Sequence, residues 1–173
     1  MNKNELRKQF KQVRKSIEDK KNKDNTIFNK VINNTKIIES NTILLYASLN
    51  DEVDTINLIK YFLNKKIVAL PKVENDIMNF YIINSINDLK EGYYHILEPI
   101  TNNKLNNFEN TTILVPGICF DKNGYRIGYG KGFYDKFLEN KSIYSIGLCY
   151  KECLIDNTFH DTHDIKVNEI ITN

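Results

Sequence analysis

Thr111-Thr-Ile-Leu-Val-Pro-Gly-Ile-Cys-Phe-Asp-Lys-Asn-Gly-Tyr-Arg-Ile-Gly-Tyr-Gly-Lys-Gly-Phe-Tyr-Asp135 passes from a strand-like run straight into a glycine-rich stretch. Thr111–Val115 has the length and composition of a buried strand. A helix is predicted from about Gly132 to Glu139. Between them lie five of the chain's seven glycines, Gly117, Gly124, Gly128, Gly130 and Gly132. Glycine tolerates positive φ and lets a backbone approach a ligand closely. Arg126, Lys131, Asp121 and Asp135 are threaded among them. A loop of exposed amides with fixed cations can hold phosphate oxygens, and an aspartate at its end can hold an accompanying magnesium ion. The plainer reading is an exposed structural turn, which has no use for Lys131 and Asp135 at one loop–helix junction. Two standard phosphate loops are excluded: Lys131 is followed by Gly132, not Ser or Thr, and Phe133 stands where GxGxxG needs its last glycine.

Outward from this loop, the apolar run Thr42–Ala47 and the segments Ile67–Leu70, Met78–Ile83 and Tyr144–Leu148 read as further strands, with Pro71 stopping the second. The alternating tail Ile165–Ile171 reads as a last one. Helices are predicted over 3–19, 26–38 and 55–64, with a polar break at Lys20–Asn25. Residues 84–110 read as irregular, with Glu98-Pro99 as a turn. Strands alternating with helices imply an α/β sheet that is at least partly parallel, in one domain spanning 1–173. In such sheets ligands sit at the carboxyl ends of strands, where this loop lies.

In the first helix Leu6, Phe10, Val13 and Ile17 form an apolar stripe. Lys3, Arg7 and Arg14 border it within about 40° of one another at ~100° per residue. They form either a solvated rim or an edge turned toward an anion. The net charge of +2 is too small for general nucleic-acid binding. Three cysteines, an odd number without a CxxC pair, fit a reducing cytoplasm. Residues 1–20 carry no apolar signal core, and no apolar run approaches the ~20 residues of a membrane span.

Two acidic clusters remain. His160-Asp-Thr-His-Asp164 could ligate a metal and would then suit a phosphohydrolase, or be a surface loop from which one aspartate helps hold magnesium. Asp51, Glu52 and Asp54 follow the Thr42–Ala47 strand, where Asp54 either caps a helix or accepts hydrogen bonds from a polar heterocycle. No Ser/His/Asp or Cys/His arrangement suggests a protein nucleophile.

Pro116-Gly-x-x-Phe120-Asp-x-x-Gly124-x-Arg126-x-Gly128-x-Gly130-Lys-Gly-x-Tyr134-Asp135 resembles the signature of the 5-formyltetrahydrofolate cyclo-ligases. Lys3-x-x-Leu6-Arg7, Asn50–Thr55, Glu98-Pro99, Lys151-Glu152 and Asp164–Glu169 resemble further family landmarks in the same order. The resemblance implies a three-layer, Rossmann-like domain with a mixed, largely parallel sheet flanked by helices. It implies ATP-dependent closure of 5-formyltetrahydrofolate to 5,10-methenyltetrahydrofolate with magnesium, releasing ADP and phosphate. By position it gives ATP contacts to Lys3, Arg7 and Arg126, Ile127, Gly128, Tyr129, Gly130, Lys131, Gly132, Phe133 and Tyr134. It gives folate contacts to Leu49, Glu52, Asp54, Tyr129, Gly130, Lys131, Gly132 and Phe133. Lys131 and Arg126 take the catalytic role, and Asp135 and Asp164 the magnesium. The expected partners are the folate and ATP, without nucleic acid or membrane, for a monomer or homodimer. A nucleotide-binding module without catalysis is the alternative.

Overall fold

Asn2 opens helix α1 (Lys3–Lys15) by accepting the N–H groups of Asn4 and Glu5, while Glu5 accepts the Asn2 N–H. This box satisfies donors that every helix start leaves unpaired. The computed structural model describes residues 2–173 and ends α1 at Lys15, short of the expected residue 19. Asp19 turns left-handed and α2 (Lys20–Ile32) begins where the sequence pattern predicts a polar break. A solvated first turn needs no apolar residue, and Lys20 and Asp24 pair across it at 2.7 Å. Asn34 then caps a separate helix, α3 (Thr35–Glu39), so the expected 26–38 helix is divided.

The remaining elements are β1 (Thr42–Leu44), α4 (Ile56–Phe62), β2 (Ile67–Glu74), β3 (Ile77–Ile83), β4 (Leu89–Glu91), β5 (Leu97–Pro99), β6 (Thr111–Val115), β7 (Cys119–Asp121), β8 (Arg126–Ile127), α5 (Phe133–Leu138), β9 (Tyr144–Leu148), β10 (Leu154–Ile155) and β11 (Glu169–Ile171). The main sheet has the order β11-β9-β6-β1-β2-β3. Every pairing in it is parallel except β2 with β3.

Two expectations fail on local chemistry. Pro71 does not stop β2; the strand continues through it to Glu74, pairing with β3. β1 pairs with β2 only as far as Ala69, so Pro71 sits where the strand has a free side and no central ladder to break. Glu98-Pro99 is not a turn but part of β5, paired antiparallel with β4. In the tail only Glu169–Ile171 pairs with β9.

Alternation along the strands sends side chains to two cores. Ile43, Leu45, Val68, Leu70, Leu114 and Ile146 pack with α2, α3 and α4 through residues such as Ile27, Ile37 and Phe62. Leu44, Ala69, Ile113 and Val115 pack on the other face with Leu6 and Phe10 of α1 and Phe137 of α5. The result is three layers around a largely parallel sheet. Chain segments leaving the carboxyl ends of the adjacent strands β1 and β6 carry residues 45–55 and the glycine stretch, so both reach one edge of the sheet.

Candidate active site

The glycine stretch is not a single coil. Cys119–Asp121 pairs with Arg126–Ile127 as a hairpin, and β10 joins β7 in parallel. Strands of two and three residues carry too little pattern to be read from sequence. Gly124 turns the hairpin at φ 97°, and a Cβ there would lie 2.6 Å from the Val167 carbonyl oxygen. A Cβ on Gly117 would lie 2.5 Å from the Phe120 ring. These two glycines are required by packing. Gly128 and Gly132 differ, since a Cβ on either would meet nothing within 4 Å. Gly128–Gly132 is therefore an exposed crest, and Gly130 and Gly132 adopt positive φ within it.

The cations of α1 converge on this crest. The Arg7 Nε–H donates to the Gly128 carbonyl at 2.8 Å. Lys3 donates to Asp161 at 2.6 Å and to Asp164 at 2.5 Å. Burial works against both charges in the Lys3–Asp164 pair, yet their mutual bonds hold Lys3 above and Asp164 below the ordinary values. Arg126 is buried, donating to the Ile165 carbonyl at 3.0 Å and pairing with Asp135 at 3.0 Å. Lys131 is exposed, and among the described residues its ammonium has no hydrogen-bond or ion-pair partner. Ile127 and Tyr134 pack beneath the crest, where burial pushes the Tyr134 phenol well above its usual value.

Asp135 and Asp164 are drawn together by Ile165, whose N–H donates to Asp135 Oδ1 at 2.9 Å. Asp135 also spends Oδ1 on Arg126, and Asp164 spends Oδ2 on Lys3 and the Asp161 N–H. Asp135 Oδ2 and Asp164 Oδ1 carry no bond among the described residues. Two free carboxylate oxygens suit magnesium, which takes a few protein oxygens and completes its shell with phosphate and water. His160 instead stacks on Tyr125 with ring centroids 3.6 Å apart. No group of three or more His, Cys, Asp or Glu side chains able to hold a metal occurs among the described residues, so the phosphohydrolase reading lacks its cluster.

On the β1 side, Glu52 is buried and accepts the Leu49 N–H at 2.8 Å and the Tyr129 hydroxyl at 2.6 Å. Burial raises its carboxyl above the usual range, and these bonds offset part of that. Asp54 precedes Thr55, the N-cap of α4, and accepts the Ile56 N–H at 2.9 Å and the Asn57 side-chain amide at 2.7 Å. Its carboxylate is thus engaged in its own helix, while Glu52 and Tyr129 meet. Phe133 lines a neighbouring pocket of about 310 Å³ with Met78, Phe108, Phe137, Lys104 and Lys136. The pocket was not legible in the sequence, because residues 104–108 read as irregular; the Leu105 N–H in fact donates to the Phe80 carbonyl and ties that segment beside β3. Also missed was the target of Arg14, although its stripe with Lys3 and Arg7 was visible.

Comparison with known proteins agrees with this architecture. The model of the 5-formyltetrahydrofolate cyclo-ligase family matches residues 1–173. The mouse 5-formyltetrahydrofolate cyclo-ligase is 28% identical, over 90% of this chain and 85% of its own length. The Mycoplasma pneumoniae cyclo-ligase is 32% identical, over 80% of this chain and 77% of its own. The solved 5,10-methenyltetrahydrofolate synthetase of Aquifex aeolicus superposes with a TM-score of 0.86 at 30% identity, covering 98% of this chain and 89% of that one. The solved synthetase of Mycoplasma pneumoniae gives 0.79 at 28%, covering 99% of each chain. With its whole length matched by the family model and its fold shared by solved members, the chain belongs to the 5-formyltetrahydrofolate cyclo-ligase family, whose curated members are ligases.

Proposed function

We propose that this chain closes 5-formyltetrahydrofolate to 5,10-methenyltetrahydrofolate at the expense of ATP. The observation that carries this reading is the unpartnered Lys131 on an open glycine crest that leads into Asp135, which with Asp164 keeps a free carboxylate oxygen. The formyl oxygen attacks the γ-phosphorus and ADP leaves, giving an iminium phosphate. N10 of the folate then attacks the former formyl carbon, phosphate departs with the formyl oxygen, and the N10 proton is lost. No protein nucleophile is required, in keeping with a site of cations and backbone amides.

The chain's contribution is positioning and charge stabilisation. The crest amides and Lys131 hold the transferring phosphoryl group. Arg7 braces the crest through Gly128, and Arg126 orients Asp135. Asp135 and Asp164 would hold magnesium, which neutralises phosphate charge when bound. Lys3, bonded to Asp161 and Asp164, would add charge beside the phosphates that Asp164 helps hold. The pocket beside Phe133 supports the folate part of the reading: its aromatic and sulfur groups suit the fused ring, and Lys104 and Lys136 suit the glutamate carboxylates.

The test is the near-ultraviolet absorbance of methenyltetrahydrofolate in mixtures of protein, 5-formyltetrahydrofolate, ATP and magnesium, with each omitted in turn. Absorbance should rise only in the complete mixture. Nucleotide binding without any rise would favour the non-catalytic module.

A further inference from the structure

Arg14 is a buried cation of α1, its side chain only 4% exposed. Its guanidinium donates to Asp51 Oδ2 through Nη2 at 2.6 Å and Nε at 3.2 Å. Nη2 also donates to the Tyr129 hydroxyl at 2.9 Å, and Nη1 reaches the Gly117 carbonyl at 3.5 Å. Glu52 stands 3.9 Å from Nη1 and accepts the Tyr129 hydroxyl proton. The phenol oxygen thus lies between one donor and one acceptor, each fixed by further bonds.

Tyr129 itself is 44% exposed, and besides its hydroxyl bonds its ring meets the Lys11 ammonium and the Arg14 guanidinium, 5.5 and 5.7 Å from its centroid. It is flanked by Gly128 and Gly130, which give the chain freedom on both sides. Its side-chain hydrogen bonds are all made at the hydroxyl. A buried ion pair is weak evidence of a contribution to stability, because apolar replacements of similar volume often serve as well. Here the buried charges end on a single crest residue between two glycines and next to Lys131.

We propose that Arg14, with Asp51 and Glu52, is a positioning group for phosphoryl transfer: it tethers Tyr129 and so holds the Gly128–Gly132 crest and Lys131 in register. This rests on the cyclo-ligase reading for its catalytic consequence, but not for the tether. Arg14 acts through Tyr129 and is not itself catalytic. Misplacement of a reacting group by about 1 Å can cost ~100-fold in rate, so a loose crest should lower kcat more than it raises the KM for ATP.

The test uses the full chain with Arg14→Lys, Tyr129→Phe and the double variant. Arg14→Lys keeps the charge but loses the fork geometry. Tyr129→Phe keeps the ring and leaves the core untouched, so it serves if Arg14→Lys does not fold. Amide hydrogen exchange, measured without ligands, should quicken about tenfold or more across residues 128–132 in either variant, with β1 and β6 unchanged. The kcat should fall by about 10-fold or more, and the double variant should be no worse than the poorer single, as for groups acting through one contact. Unchanged crest exchange in Tyr129→Phe overturns the tether, whatever happens to kcat. Faster exchange with unchanged kcat overturns the catalytic consequence. Absence of turnover in the unsubstituted protein would instead overturn the cyclo-ligase reading, and the exchange data would still decide the tether.

Discussion

Lys131 stands between two glycines with its charge uncommitted, whereas Lys3, Arg7, Arg14 and Arg126 all bond to protein groups. In the reaction we propose, a free cation at this point would follow charge as it moves onto the γ-phosphate. Lys131→Ala should lower kcat by ~100-fold or more, the scale seen when one preorganised charge-stabilising donor is removed, with the unfolding midpoint unchanged. Asp164 invites a different measurement. Burial opposes its charge, but the bonds from Lys3 and the Asp161 N–H win, and its carboxyl lies below the ordinary 3.8. A carboxyl depressed on folding contributes stability above its unfolded pKa and loses it as pH falls through the folded value. Asp164→Asn should therefore cost about 1 kcal/mol at pH 7, and the gap should close as pH drops below 4 in urea unfolding experiments. A gap independent of pH would mean that the pair contributes nothing.

Among the elements, β7 and β9 meet through one side chain. Phe120 is fully buried, and its ring fills the space that a Cβ on Gly117 or Gly147 would need, at 2.5 and 2.4 Å. Gly147→Ala should destabilise the protein by ~1–3 kcal/mol through overpacking. Combined with Phe120→Leu it should cost less than the sum of the single changes, because the two compete for one volume. Strict additivity would contradict the packing account. This junction also marks the limit of what the sequence makes legible. Thr111–Val115 and Tyr144–Leu148 are five residues long, buried over nearly their whole length and free of charged side chains, so they are readable as buried strands. Cys119–Asp121 and Arg126–Ile127 are too short to show a period, so the hairpin that lifts the crest was hidden inside a glycine loop. Pro71 misleads for a complementary reason: its cost depends on whether a neighbouring strand continues past it, which is a tertiary fact.

Across the whole molecule, the alternation of strands and helices was sufficient for an at least partly parallel sheet with a ligand edge, and the long glycine-loop signature, with weaker landmarks in order from Lys3 to Glu169, pointed to the family. The partners of each charge were not legible. The stripe of Lys3, Arg7 and Arg14 gives a helix face, but only the fold shows that the three reach Asp161 and Asp164, the Gly128 carbonyl and Tyr129 respectively. The cysteines belong to this scale too. Cys119, Cys149 and Cys153 are all buried and free, and burial raises the Cys119 thiol to about 12 and that of Cys153 to about 11. Alkylation at pH 8 should modify none of them in the native protein and all three after denaturation. Rapid native labelling would show that the second core opens.

The central claim is that the chain converts the formyl oxygen into a phosphate leaving group and supplies no nucleophile of its own. The most direct measurement follows oxygen from 5-formyltetrahydrofolate labelled with oxygen-18 in the formyl group, incubated with the protein, ATP and magnesium in unlabelled water. The account predicts one labelled oxygen in each phosphate released, and none in ADP. Unlabelled phosphate formed together with methenyltetrahydrofolate would contradict it, because the formyl oxygen would then have left by another route.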